Sequence, residues 1–273
     1  MYRILAIVLF GLLPLASASG APSDCDRACL YQFLDRYLAA MQAHQASQAG
    51  FASGAKFTEN NVALRPGDGL WATVTGLGEY ELRFADPHTG GIGFYGVARE
   101  TDTASPFALR LKVRQGRITE SEIIVARPQE AGVPFVTATI AFSDDCNRRE
   151  NGFQTTNRQD ATYGDTPKLG CAAQFKLGWY RFDDRLRARR FLVVDEERGL
   201  VMTSAFIDHA GTIGDYKLTD GRTASSALFR RPHTYCLLET FKIGNARIEQ
   251  VEAVFTSVPY RMPSPWGGTP DTP

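Results

Sequence analysis

Phe107-Ala-Leu-Arg-Leu-Lys-Val113, then Arg114-Gln-Gly116, then Arg117-Ile-Thr-Glu-Ser-Glu-Ile-Ile-Val125 reads as strand, tight turn, strand. The chain writes this plan a second time from Leu237 to Phe255. Lys112, Arg117, Ile118 and Glu122 fall on Lys242, Arg247, Ile248 and Glu252, and Val113 is answered by Ile243. Self-similarity at fixed internal spacing means two copies of one supersecondary unit. Working outward, Ile92 to Arg99 precedes the first hairpin as a further strand, after the Asp86-Pro-His-Thr-Gly turn. Trp71 to Phe84 reads as extended before it. Leu30, Phe33, Leu34, Tyr37, Leu38 and Met41 recur at three- and four-residue steps, which predicts an amphipathic helix of about five turns. A helix followed by a meander of strands is an α+β pattern with an antiparallel sheet.

The chain has 273 residues, with 30 basic and 30 acidic side chains. A balanced charge argues against a nucleic-acid or anionic-membrane surface, since both rest on excess Lys and Arg. Arg3, the apolar run Ile4 to Leu15 and the small residues after it predict a secretory signal peptide over residues 1–21, cut after Ala18 or Ala21. No membrane span is expected, and the mature protein is expected to be periplasmic or secreted. Export permits disulfides. Of the five cysteines, Cys146 and Cys171 are read as a pair across a Gly/Asn/Asp-rich loop. Cys25 and Cys29 could pair with each other, or either could meet Cys236. No Cys or His spacing suits zinc, and no nucleotide fingerprint or Gly-x-Ser-x-Gly elbow occurs, so no cofactor or metal is expected.

Arg127-Pro128 through Val133-Pro134 marks a boundary, with Phe135 to Phe142 as a strand beyond it. A polar loop of about thirty residues follows Gly152, long enough to be either functional or mobile. Arg190 to Asp195, Gly199 to Asp208 and Tyr235 to Phe255 complete the second strand set, and 263–273 reads as a loose tail.

The pieces Phe57-Thr58-Glu59-Asn60, Gly67-Asp-Gly-Leu-Trp71 and Gly93-Phe-Tyr-Gly96 resemble the NTF2-like (SnoaL-like) superfamily. With Cys146 to Gly152, Arg189-Arg190-Phe191 and Val194 to Gly199, they resemble a family of exported bacterial and fungal proteins of unassigned function built from two such units. The resemblance implies an α+β fold of two tandem NTF2-like units, 22–130 and 131–262, each a helical roof over a curved antiparallel sheet. Pro134 runs straight into a β-like string, so the second unit is expected to lack its helices. Its cone is then either open on one side, or the sheets pack together and share the first unit's helix.

Glu59-Asn60, echoed by Glu150-Asn151, places a carboxylate beside an amide: an acid or base with an oxygen-holding partner, or a pair tying the loop to its own backbone. Glu239 falls in an apolar strand row opposite its counterpart Leu109, so it must be paired, neutral or open to a pocket. Arg190, Arg230 and Arg231 are its expected partners; a raised-pKa catalyst is the alternative. His209, and His233 before Tyr235, lie near strand ends where a pocket mouth could be, and His209 and Tyr235 join Trp71, Tyr80, Tyr95, Glu150, Asn151 and Arg190 in a candidate ligand-binding set. The expected partner is a small apolar or aromatic organic molecule, with Glu59, Asn60 and Glu239 as candidate catalysts of cofactor-free acid–base chemistry by analogy of fold. The alternatives are a non-catalytic ligand-binding module and a structural or interaction protein of the cell envelope, the last predicting an oligomer.

Overall fold

The computed structural model describes residues 25–128, 141–160 and 165–267. The signal peptide, most of the strand expected from Phe135 and the end of the tail lie outside the described residues. The protein is mostly sheet with few helices. Helix α1 (Arg27–Gln42) is capped by Asp26, whose carboxylate accepts from the Cys29 amide at 2.8 Å. One sheet contains β1 (Phe51–Glu59), β2 (Val62–Ala63), β3 (Gly76–Asp86), β4 (Gly91–Glu100), β5 (Thr103–Arg114) and β6 (Arg117–Val125). The other contains β7 (Phe142–Glu150), β8 (Phe153–Gln154), β9 (Arg185–Asp195), β10 (Leu200–His209), β13 (His233–Gly244) and β14 (Arg247–Val258). The short strands β11 (Tyr216–Lys217) and β12 (Thr223–Ala224) pair separately.

The strand orders are β2-β1-β6-β5-β4-β3 and β8-β7-β14-β13-β10-β9, the same path walked twice. The repeat extends to register. Arg110 and Lys112 face Glu122 and Glu120, as Thr240 and Lys242 face Glu252 and Gln250. Both hairpins slip register at the same place, after Lys112 and after Lys242. Each sheet also holds one parallel pair, β1 with β6 and β7 with β14, so the sheets are mixed rather than purely antiparallel. Strand direction leaves no trace in hydrophobic alternation, which is why the sequence pattern did not carry it.

Three further expectations are corrected. Trp71 lies in the short helix α2 (Leu70–Thr73), and the strand expected from it begins at Gly76. Among the described residues the second strand set begins with β7, where Cys146, Arg148 and Glu150 are buried on alternate positions of a segment too polar to read as a strand. The second sheet is not without helix: the long polar excursion carries α3 (Cys171–Leu177) and 3-10 turns at Thr166–Lys168 and Trp179–Phe182.

The sheets pack face to face. Phe84, Tyr95, Ala108 and Ile124 of the first meet Met202, Phe206, Cys236, Leu238 and Val254 of the second in one core. The outer face of the first sheet (Phe94, Phe107, Leu109, Leu111, Ile123) is covered by α1 through Leu30, Leu34, Tyr37 and Met41. The outer face of the second is covered by its own excursion: Phe175 packs beside Phe142 and Val251, and Tyr180 and Phe182 pack on Tyr235, Leu237 and Phe255. Of the two expected fates of the second cone, the packing of the sheets on each other is observed, but α1 is not a shared roof. Disulfide Cys146–Cys171 ties α3 to β7, and Cys25–Cys29 closes the start of α1, leaving Cys236 a buried thiol. Such bridges belong to an oxidising compartment outside the cytoplasm. Among the described residues no helix is long and apolar enough to cross a membrane.

Candidate functional site

Three places gather polar side chains, and they differ in how much room they leave. In the first, Glu59 ends β1 beneath the α1 roof. It accepts from the Leu70 amide at 2.6 Å, at the start of α2, and from Arg127 at 3.1 Å. Burial raises its pKa, against the pull of the Leu70 amide and Arg127. Asn60 has φ 46°, and its side chain locks the strand end by donating to the Val125 carbonyl at 3.1 Å and accepting from the Val125 amide at 2.9 Å. Asn151 repeats this at φ 46°, accepting from the Phe255 amide at 2.9 Å. Trp71 donates to Tyr37 Oη at 3.0 Å inside the α1 core.

The second place is the outer face of the second sheet. Glu239 projects from β13 in the row of Leu237, as its strand position predicts. Its partner is Arg148 of β7, at 3.0 Å, and not Arg190, Arg230 or Arg231. Arg190 instead pairs with Glu122 at 2.6 Å across the sheet interface. The reason is register: β7 lies beside β14, one strand from β13, and carries Arg148 to the face that bears Glu239. Arg148 also pairs with Glu150, so one guanidinium faces two carboxylates. Burial pushes Glu150 up to about 7 and raises Glu239, with Arg148 opposing both shifts. Nearby, His209 Nε2 lies 3.1 Å from Asp183. Burial lowers His209 to about 3 and holds Asp183 well above the carboxylate range, so both favour their neutral forms. His209 stacks on His233 at 4.5 Å, with Tyr235 edge-on. Asp208, beside His209 in sequence, points away to Arg187 at 2.8 Å. The space left here, against Arg148, Ile207, Tyr235 and Phe255, is about 10 Å³, room for about one water.

The third place lies between the sheets, where β3 of the first crosses β7, β14 and β13 of the second. It is a groove of about 260 Å³, walled by Tyr80 and Leu82 on one side and by Arg149, Thr240, Lys242 and Glu252 on the other. Tyr80 Oη donates to Glu252 at 2.5 Å, and the Arg149 guanidinium lies 5.4 Å from the Tyr80 ring centroid. Burial raises the pKa of Glu252, opposed by Tyr80 and Arg149. Tyr95 is buried beneath, its hydroxyl donating to Thr240 at 3.0 Å.

The repeat gives this groove a counterpart on the first sheet. There Glu122, equivalent to Glu252, accepts from Arg190 of the crossing strand β9, as Glu252 accepts from Tyr80 of β3. That counterpart is filled by the chain's own Trp266. Lys56, Arg110 and Arg190 lie 4.4, 5.3 and 5.3 Å from its ring centroid. Lys56 also donates to the Pro265 carbonyl, and Asn61 to that of Pro263 at 3.0 Å.

Of the candidate residues, then, Glu150, Glu239, His209 and Tyr235 come together on the second sheet's outer face. Tyr80 and Tyr95 meet at the groove, Glu59, Asn60 and Trp71 lie at the α1 side, Asn151 locks a turn, and Arg190 crosses the interface. Arg148, Arg149, Glu252, Asp183 and Trp266 were missed. Glu252 was legible as one of the repeated hairpin positions, but nothing in the sequence said that β3 would cross it.

A family model described as a domain of unknown function, DUF8021, matches residues 134–255. No curated protein matches the chain. Among solved structures, an NTF2-like protein of unknown function from Burkholderia xenovorans LB400 is 11% identical, with TM-score 0.31, covering 37% of this chain and 86% of that one. A hypothetical protein with a ketosteroid isomerase-like fold from Catenulispora acidiphila DSM 44928, crystallised with trimethylamine, is 12% identical, with TM-score 0.27 over 34% of this chain and 83% of that one. A protein from Sphaerobacter thermophilus is 17% identical, with TM-score 0.28 over 37% and 96%. These likenesses are partial, and no activity passes through them.

Proposed function

We propose that the chain is an exported protein of two tandem NTF2-like units, 22–130 and 131–262, freed from a signal peptide at 1–21, that binds a small organic molecule between its sheets. The supporting observation is the contrast in space. The groove beside Tyr80 and Arg149 holds about 260 Å³, while its counterpart is filled by Trp266 and the second sheet's outer face leaves about 10 Å³. Ligand sites are concave, with a few placed polar groups among apolar ones. This groove combines Leu82 and Leu200 with Tyr80, Arg149 and Glu252. The ligand expected from the sequence, apolar or aromatic, is therefore one that also carries polar groups.

The test is thermal unfolding of the mature protein against a panel of small aromatics, sugars and organic acids. A hit should raise the melting temperature with concentration, as a ligand selective for the native state does. Gln250→Trp, at an exposed lining position, should abolish the shift by filling the groove. No hit at all, or hits indifferent to Gln250→Trp, would sink this reading.

The catalytic alternative rests on the carboxylates whose pKa burial raises. Glu59 with Asn60, or Glu239 beside Glu150, would take or give the proton. Product formed from a bound compound, and lost in Glu59→Gln or Glu239→Gln with folding intact, would favour it. An unchanged compound after long incubation favours the binding module.

A further inference from the structure

We infer that the ligand of the intersheet groove carries a single anionic group, a carboxylate in the first instance, received by the Arg149 guanidinium. This rests on the groove being the binding site and adds the class of ligand. Four other arginines around the sheet interface have carboxylate partners: Arg27 has Asp195, Arg110 has Glu120, Arg187 has Asp208 and Arg190 has Glu122. Arg148, the neighbour of Arg149 on the opposite face of β7, has two. Arg149 stands in register with Glu252 on the adjacent strand, the position from which an ion pair would ordinarily form. It does not form. The Glu252 carboxylate is taken by the Tyr80 hydroxyl, and the guanidinium rests against the Tyr80 ring instead.

The consequence is a half-buried cation at a cavity wall with no carboxylate within ion-pair distance among the described residues. Removing a guanidinium from bulk water without an anion is costly, and its planar fork suits a carboxylate that can accept two parallel hydrogen bonds. Lys242, on the same wall, donates to the Arg198 carbonyl at 2.7 Å, which engages one of its three N–H bonds. The groove's charge is therefore two cations against one carboxylate, Glu252. Leu82 and Leu200 supply the surface for the rest of the molecule. A cavity near 260 Å³ is below the range of about 300–1,000 Å³ usual for drug-sized ligands, so the molecule is small: an aromatic or short aliphatic acid.

The experiment pairs each acid with its neutral amide at constant ionic strength. Acetate, benzoate and indole-3-acetate are titrated against acetamide, benzamide and indole-3-acetamide, by calorimetry and by thermal shift. At least one acid should bind where its amide does not. Arg149→Gln should weaken that binding about tenfold or more, since a charge-assisted pair is lost. Arg149→Lys, with the charge but not the fork, should fall between. Tyr80→Phe releases Glu252 to compete for Arg149, and should weaken the acid while leaving the fold intact.

Acid and amide binding equally, both abolished by Gln250→Trp, would overturn the anionic class and leave the groove as the site. Binding of neither, or acid binding unmoved by both Arg149→Gln and Gln250→Trp, would overturn the class and the site together.

Discussion

Arg148 faces Glu150 and Glu239 at once on the outer face of the second sheet, one buried cation against two buried carboxylates. The surplus acid has a pH signature. Glu150 is pushed from 4.5 up to about 7, so the folded protein holds a proton there that the unfolded chain gives up. Its contribution to stability is therefore fully present below pH 4.5 and is lost as the pH rises towards 7. The effect is at most about 3 kcal/mol. Glu150→Gln should flatten this part of the stability profile relative to wild type, measured by thermal unfolding in pH steps. An identical profile in the variant would show that the proton sits elsewhere, on Glu239 or Asp183. At this scale the sequence was legible where a residue serves its own strand. The doubled Glu-Asn marked two equivalent turn locks, and Glu239 stood out in its apolar row. It was illegible where a residue serves a distant strand: Glu239 meets Arg148, and Glu252 meets Tyr80, only because of how the strands are ordered and crossed.

The excursion between β8 and β9 is the element that pattern reading treated as a polar loop. Its apolar residues are few and spread over short turns: Phe175 on the seven-residue α3, then Trp179, Tyr180 and Phe182. No window is long enough to display a helical period. Yet these rings cover the second sheet as α1 covers the first, with Phe175 4.8 Å from Phe142 and 5.6 Å from Tyr180. The Cys146–Cys171 bridge, spanning 25 residues, pins this cover to β7. Replacing both cysteines by serine should destabilise the protein by about 3 kcal/mol, the chain-entropy value for a loop of this size. Limited proteolysis should then cut first within the excursion, since local opening no longer works against the bridge. Cleavage that begins instead in α1 would show that the cover holds without it.

The two halves share a core, and this decides how the molecule responds as a whole. Leu238, Met202 and Val254 of one sheet pack on Tyr95, Ala108 and Ile124 of the other, and Arg27 of α1 reaches Asp195 at 2.9 Å. Unfolding should accordingly be a single transition. Leu238→Ala should lower it by about 2–5 kcal/mol without splitting it. Two resolved calorimetric transitions, of which the variant moves one, would mean that the halves melt separately. The repeat was legible at this scale because equivalent hairpins need equivalent side chains. The packing of one sheet on the other was not, since a strand that buries both faces reads the same whatever covers it.

The strand β14 is the last of the second sheet in the chain and lies near its middle, between β7 and β13. A ribosome therefore delivers β7 roughly a hundred residues before the strand that completes it. Throughout that interval Arg148 and Glu150 have no sheet to share, and β7 offers one bare hydrogen-bonding edge. The first sheet has the same wait in a shorter form, β1 preceding its partner β6 by roughly sixty residues, and it closes while the second is still to be made. The order of synthesis thus sets a finished half beside an open one, and the open edge is the part of this molecule most exposed to pairing with another chain before its own last strand arrives.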